Sequence, residues 1–163
     1  MKGIRSVRPD DAASLSEIYN FYVEHSIITF EEKTVPVDVF AERIRVLSGK
    51  LPWLVSHLDD ELTGFVYASP WKSRQAYRYS VETAIYLAPD QLGQGLGKLL
   101  YTELISRLRE HGAHSLIAGI AQPNLVSAAL HEKLGYSKIG EFEQVGYKFM
   151  RWIDVHYWEL LLD

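Results

Sequence analysis

A single carboxylate, Glu82, stands in the middle of a run of strand-forming residues at 79–87. Period-2 alternation puts Val81, Thr83, Ile85 and Leu87 on one face of that strand and Ser80, Glu82, Ala84 and Tyr86 on the other. A carboxylate in such a place either pairs with a nearby arginine or, kept from water with its pKa raised, takes a proton from a substrate. Just beyond it, Gly93, Gly95 and Gly97 recur at alternate positions between a strand and a helix. Bare backbone N–H groups at a helix N-terminus bind phosphate oxygens, so this loop is a candidate cradle for a phosphorylated ligand. Two better-known phosphate loops do not fit. A nucleotide P-loop ending at Gly97-Lys98 needs glycine at position 92 and Ser or Thr at position 99, where this chain has Leu92 and Leu99. The dinucleotide fingerprint starting at Gly93 needs a third glycine where this chain has Lys98.

Composition removes other chemistries. The chain has no cysteine, hence no disulfide, no thiolate nucleophile and no sulfur-ligated zinc. Its six histidines, at 25, 57, 111, 114, 131 and 156, show no HExxH or comparable spacing, so no metal is expected. Seventeen Lys and Arg against twenty-one Asp and Glu give a net charge of −4, and no global positive field exists to hold nucleic acid. Any bound anion must be held locally. The start through Arg8 is too short and too charged for a signal peptide, and no window approaches the roughly 18 apolar residues of a membrane span. A soluble, cytoplasmic protein with no membrane partner is expected.

The elements that must position these residues are legible from periodicity. At 163 residues with 47% hydrophobic, one domain over 1–163 is expected. Ile4 and Val7 face inward on a first strand; Pro9-Asp10-Asp11 starts a helix whose stripe is Leu15, Ile18, Tyr19 and Tyr22. Pro36 opens a short second helix carrying Phe40, Ile44 and Leu47, which Gly49 ends. Runs at 53–58 and 62–68, separated by Asp59-Asp60-Glu61, read as an antiparallel hairpin. After the strand at 79–87 and the glycine loop comes a helix with Leu100, Leu104 and Leu108 on one face, stopped by Gly112. A buried strand at 115–121, a helix at 124–134 and two closing strands at 136–142 and 149–162 complete the chain. This order is α+β, with one βαβ-like crossover between the strands at 79–87 and 115–121.

The stretch Gln91-Leu92-Gly93-Gln94-Gly95-Leu96-Gly97 resembles the pyrophosphate loop of the GNAT superfamily of acetyltransferases, and Asn124 with Leu130-His131-Glu132-Lys133-Leu134-Gly135-Tyr136 resembles its later CoA-side helix. Leu92 stands where that loop usually begins with Arg or Gln, and Gln91 lies one place earlier; because backbone N–H groups make the main phosphate contacts, the change bears on affinity more than on function. A narrower resemblance covers nearly the whole chain. Val23-Glu24-His25-Ser26, Pro52-Trp53-Leu54-Val55, Ala68-Ser69-Pro70-Trp71-Lys72-Ser73-Arg74-Gln75-Ala76-Tyr77, Val81-Glu82-Thr83, Gly146-Tyr147-Lys148 and Trp152-Ile153-Asp154-Val155 are similar to the phosphinothricin N-acetyltransferase family.

That resemblance implies a GNAT acyltransferase fold, with a mixed central sheet flanked by helices, and acetyl-CoA as co-substrate. The implied acceptor is the α-amine of a small amino-acid analogue of the phosphinothricin, methionine sulfoximine, methionine sulfone or arsinothricin type. It further implies a homodimer. Glu82 is then the general base, directly or through water, and His131, where many superfamily members carry Tyr, protonates the departing CoA thiolate. The main chain of Ile85, Tyr86 and Leu87 is expected at the acetyl and pantetheine portions, Gly93, Gln94, Gly95, Leu96, Gly97 and Lys98 at the pyrophosphate, and Asn124 at the pantetheine arm. Phe30, Lys72, Ser73, Arg74 and Tyr77 are expected to contact the acceptor, an arginine being suited to bidentate grip of an anion. Lys148 and Arg151, near the last hairpin, are expected to bind an anion or face a second subunit. With no cysteine, transfer is expected to be direct, in a ternary complex. Two other readings stand beside this one: the same fold acetylating a protein N-terminus or a polyamine, and a non-catalytic acyl-CoA-binding module. The cationic Lys72 and Arg74 favour an anionic small molecule, and a binding module has no need of a positioned base.

Overall fold

Seven strands and four helices make up the fold in a computed structural model that describes residues 2–163; Met1, the first residue of the charged start, lies outside the described residues. In chain order they are β1 (Lys2–Ser6), α1 (Ala12–His25), α2 (Val37–Ser48), β2 (Trp53–Leu58), β3 (Glu61–Pro70), β4 (Ser80–Leu87), α3 (Leu96–Glu110), β5 (Ser115–Ala121), α4 (Leu125–Lys133), β6 (Ser137–Lys148) and β7 (Arg151–Leu161). The strands form one sheet in the order β1-β2-β3-β4-β5-β7-β6. Every neighbouring pair is antiparallel except β4–β5, which is parallel and joined through α3 as the sequence order requires. No helix among the described residues is long and apolar enough to cross a membrane.

Each face of the sheet buries its own stripe of helix. On one side Leu100, Leu104 and Leu108 of α3 are fully buried with Leu54, Val66, Val81 and Leu116. On the other, Leu15, Tyr19 and Val23 of α1 and Phe40 and Ile44 of α2 cover Trp53, Val55, Phe65 and Tyr86. That second core is largely aromatic, with the Trp53 and Tyr67 rings stacked at 4.5 Å.

Two local departures from the sequence reading have physical causes. Pro9–Asp11 is a 3-10 turn ahead of α1 rather than its first turn. Asp11 is the reason: its carboxylate accepts from the Arg8 N–H at 2.7 Å and from both Arg5 guanidinium nitrogens at 2.7 and 2.8 Å, which caps the turn before the helix begins. The second departure is at the last hairpin. Residues 143–148, read as a connection, belong to β6. Gln144 takes φ 53° and donates its N–H to the Asp154 carboxylate at 2.7 Å, and the register with β7 shifts between Phe142 and Gly146. This irregularity breaks the alternation by which a strand is recognised. The turn itself is Phe149-Met150, both with positive φ (51° and 56°), at positions where Gly or Asn would announce a two-residue turn.

The feature that organises the site is a parting of strands. Pairing of β4 with β5 covers Ser80↔Ser115, Val81↔Leu116 and Glu82↔Ile117 and goes no further. Beyond Glu82, β4 stays with β3 as far as Gly64↔Leu87, and β5 stays with β7 as far as Ala121↔Val155. The sheet therefore opens into a wedge with Glu82 near its apex.

Candidate active site

A cleft of about 320 Å³ fills this wedge. Its walls come from β4 and β5, with Tyr67 and Ser69 of β3, Val155 and Tyr157 of β7, the segment Ile28, Thr29 and Phe30, and, at the other end, Tyr101, Asn124, Ser127 and His131. The direction of the backbone groups in it follows from strand alternation. Ala88 donates its N–H to Thr63 of β3, and Tyr79 offers its carbonyl to the N–H groups of His114 and Ser115 beside β5. Even-numbered residues of β4 thus aim their main chain at β3, and odd-numbered ones aim it at the wedge. Ile85 and Leu87 face the cleft with N–H groups that have no strand opposite. Tyr86, expected to contribute main chain as well, is turned the other way: its backbone pairs with Phe65, and its side chain is buried among the rings of Tyr19, Tyr22 and Phe65. By the same rule β5, whose Gln122 N–H bonds to Asp154 beside β7, presents Gly119 and Ala121 to the cleft from the opposite lip.

The α3 end of the wedge has the form of a phosphate cradle. Gly93 and Gly95 both have φ 76°, the left-handed region that an L side chain enters at a cost, and a Cβ at either would meet nothing within 4 Å. Their backbone is therefore open to a ligand. Gly95 caps α3, so the N–H groups of the helix's first turn, Leu96 to Lys98, have no carbonyl partner within the helix. Gly97 serves a different end: a Cβ there would lie 3.2 Å from the Leu130 side chain, so its absence lets α3 settle against α4. Lys98 and Gln94 are exposed beside the loop. Asn124 caps α4 by accepting from the Ser127 N–H at 3.0 Å while lining the cleft. The open loop, the unpaired N–H groups and the narrow wedge leading from them to Glu82 fit an elongated diphosphate-bearing acyl thioester.

Glu82 is half-buried on the α1 face of β4, directly across from Ser69 of β3. Among the described residues it has no ion-pair partner, and burial alone raises its pKa above the ordinary carboxylate value. The salt-bridge alternative is thereby set aside. Burial, with the Glu82 charge adding to it, raises the hydroxyl pKa values of Tyr67 and Tyr157, that of Tyr67 to about 12.

His131 is almost wholly buried (2% exposed). Its Nδ1–H donates to the Ser127 carbonyl at 2.7 Å, which leaves Nε2 as the acceptor for the Tyr101 hydroxyl at 3.1 Å. Burial lowers the His131 pKa, so the ring is neutral near pH 7. With its one ring proton on the Ser127 carbonyl, His131 presents Nε2 to the Tyr101 hydroxyl, and both side chains line the cleft. The Thr83 hydroxyl, 3.5 Å from the Ile117 carbonyl and 3.2 Å from the Tyr136 hydroxyl, completes the chain of polar groups.

Of the residues expected at the acceptor, the structure brings Phe30 into the cleft wall. Lys72, Ser73, Arg74 and Tyr77 lie exposed on the loop between β3 and β4, outside that wall. The loop adjoins the cleft through Trp71, whose ring packs edge-on against Tyr157 at 5.8 Å. Lys148, expected to bind an anion or a second subunit, is instead buried, its ammonium on two main-chain carbonyls. Arg151 is exposed at the hairpin end. Tyr67, Ser69, Tyr101, Gly119 and Tyr157 were not anticipated. Polar residues recurring on the Glu82 face of β3 offered a signal for Tyr67 and Ser69; Tyr101, beside the leucine stripe of α3, reads as core.

Gly95→Val places a branched side chain where phosphate must meet the backbone. The αL strain of about 1–2 kcal/mol leaves the fold intact, and loss of one charge-assisted contact should weaken CoA binding about tenfold or more. Calorimetry on the folded variant decides, and wild-type CoA affinity there rules out the cradle.

Comparison with known proteins agrees with this geometry. The model of the acetyltransferase (GNAT) domain matches residues 4–157. A phosphinothricin N-acetyltransferase from Streptomyces viridochromogenes is 35% identical over 156 residues, spanning 96% of this chain and 85% of its own. An L-methionine sulfoximine/L-methionine sulfone acetyltransferase from Salmonella typhimurium is 37% identical over 162 residues, spanning 98% and 94%. The crystal structure of a phosphinothricin acetyltransferase from Sinorhizobium meliloti in complex with acetyl-CoA superposes with a TM-score of 0.95 at 33% identity, covering 99% of this chain and 88% of that one. With a family model spanning nearly the whole chain, and a wedge and glycine cradle suited to an acyl-CoA, this protein belongs to the GNAT acetyltransferase family.

Proposed function

We propose that this enzyme transfers acetyl from acetyl-CoA to the α-amine of a small anionic amino-acid analogue of the phosphinothricin or methionine sulfoximine/sulfone type. The observation that carries the reading is a desolvated carboxylate without a cation, set at the apex of a cleft whose far end is a phosphate cradle. Acetyl-CoA, when bound, supplies an activated acyl carbon on a good leaving group. Gly93, Gln94, Gly95, Leu96, Gly97 and Lys98 hold its pyrophosphate, and Asn124 and the lips of the wedge hold the pantetheine arm. The N–H groups of Ile85 and Leu87 remain for the acyl oxygen, where fixed donors stabilise the charge that grows as the amine adds.

An α-amine is a nucleophile only after losing a proton. Glu82 takes that proton, directly or through a water, and its raised pKa brings its basicity nearer to the task than that of a solvated carboxylate. The Tyr101 hydroxyl, whose one proton rests on His131 Nε2, gives up that hydrogen bond to donate to the departing sulfur; burial raises its pKa well above the ordinary phenol value, which keeps the proton on it. Phe30 covers the acceptor, and Lys72, Ser73, Arg74 and Tyr77 on the neighbouring loop draw its anionic groups to the mouth. A polyamine acceptor suits this cationic loop poorly. We also infer a homodimer, supported by the exposed Phe142, Val145, Tyr147, Phe149, Met150 and Trp152 on the β6–β7 hairpin, apolar surface that a second copy would bury.

Thiol release with phosphinothricin, methionine sulfoximine, methionine sulfone and a polyamine as acceptors tests the substrate class, and turnover of the polyamine alone overturns it. In the same assay Glu82→Gln should lose about 10²-fold or more in turnover while acetyl-CoA still binds. The pH profile follows from the sign of the shift. Glu82 is inactive while protonated, so wild-type kcat/KM should rise with pH through an apparent pKa above the solvated carboxylate range, and that limb should vanish in the variant. Unchanged turnover in Glu82→Gln removes the base. Sedimentation velocity should give twice the 18.7 kDa of the chain; a monomer at micromolar concentration refutes the dimer.

A further inference from the structure

Lys148 ends β6, at the outer edge of the sheet, and is 1% exposed. A buried ammonium is costly unless its protons are satisfied. Here it donates to the Ser26 carbonyl and to the Thr29 carbonyl, each at 2.8 Å, across sequence separations of 122 and 119 residues. No carboxylate contacts it; Glu31 and Glu32 act on it through space, and Glu31 is itself paired with Arg43. Both bonds go to main chain, so the interaction fixes a path of backbone and not a particular side chain.

That backbone is the connection between α1 and α2, which has no helix or strand of its own over Ser26 to Pro36. From within its own half of the molecule it is tied by the Tyr19 hydroxyl to Thr29 Oγ1 at 2.6 Å and by Asn20 to Val35 at 2.8 and 2.9 Å. Ile28, Thr29 and Phe30 of this connection wall the cleft, and beside them Ile27 is buried with Ala121 of β5 and Ile153 of β7; β6 belongs to the same β5–β7 half beyond the wedge. Two positions before Lys148, Gly146 adds a second constraint: a Cβ there would overlap the Phe30 ring, so that ring lies against bare backbone of the far half.

We propose that Lys148 is a positioning residue for the acceptor: it clasps the Ile28–Thr29–Phe30 wall to the opposite half of the split sheet and so sets the width of the cleft beside Glu82. The strands themselves cannot do this, because their pairing stops at Glu82↔Ile117. The pantetheine end is gripped by β4, β5, α3 and α4 and does not depend on the clasp. This inference rests on the reading that the acceptor binds at the Glu82 end.

The test is steady-state kinetics of Lys148→Met, Lys148→Arg and Gly146→Ala, with L-phosphinothricin and L-methionine sulfoximine as acceptors. Lys148→Met keeps the bulk and removes the donors; acceptor KM should rise about tenfold or more with the acetyl-CoA KM within about twofold. Lys148→Arg, which keeps charge and donors, should recover most of the loss. Gly146→Ala, which displaces Phe30 by another route, should reproduce it, and adding Lys148→Met to it should cost less than Lys148→Met alone. A folded Lys148→Met with wild-type acceptor KM overturns the clasp, as does an equal rise in both KM values; should that variant not fold, Gly146→Ala decides by the same criteria. Failure of the underlying acceptor reading is told apart by Glu82→Gln, which then keeps its turnover, whereas failure of the clasp alone leaves Glu82→Gln inactive.

Discussion

Parallel pairing between β4 and β5 lasts for three residue pairs, and the chemistry proposed for this protein depends on its ending there. A continued ladder would spend the N–H groups of Ile85 and Leu87 on β5 and leave no slot between the strands. By parting, the sheet leaves backbone donors facing the cleft, and in the proposed mechanism fixed dipoles there act on the charge that develops on the acyl oxygen. The two helices that begin at the open end extend the slot. α3 offers the unpaired N–H groups of its first turn behind Gly93 and Gly95, and α4 offers Asn124.

A split sheet has a structural cost, since the two halves are no longer held by a ladder over the length of the cleft. The α3 core compensates on one face, burying Leu100, Leu104 and Leu108 against strands of both halves. On the other face the cleft itself interrupts the packing, and there the joining is local: Ile27 buried with Ala121 and Ile153, the Lys148 ammonium on two carbonyls, and Phe30 on Gly146. The same face carries Glu82. A cation placed next to that carboxylate would hold the halves together as well, but would depress its pKa and remove the basicity that the proposed general base needs. Tyr67, Ser69 and Tyr157 surround Glu82 without supplying positive charge, and the cations of this region, Arg43 and Lys148, are committed to Glu31 and to main-chain carbonyls.

Much of this was legible in the residues themselves. The leucine spacing of α3, the strand at 115–121 and the glycine loop are set by local periodicity and by φ, and the strand alternation already put Glu82 on the face opposite Val81 and Ile85. Tertiary decisions were hidden. Residues 143–148 look irregular because Gln144 and the register shift at Gly146 spoil the alternation, and Phe149-Met150 adopts a turn without turn residues. Lys148 reads as a surface charge because its partners are carbonyls more than a hundred residues away, which carry no side-chain signal. His131 and Tyr101 could each be placed on a helix, but their hydrogen bond, and the tautomer that Ser127 imposes, exist only once α3 and α4 are packed. The charges of Lys72 and Arg74 suggested an acceptor contact, and the chain places both exposed on the loop between β3 and β4, outside the cleft wall.

Amide hydrogen exchange along β4 tests the parting of the strands most directly. Tyr86 and Ala84 pair with β3, whereas Ile85 and Leu87 aim their N–H groups into the wedge. In the free protein, Ile85 and Leu87 should exchange much faster than Ala84 and Tyr86, and saturating acetyl-CoA should slow Ile85 and Leu87 while leaving the other two unchanged. Uniform protection of all four amides in the free protein, or no response of Ile85 and Leu87 to acetyl-CoA, would contradict the account.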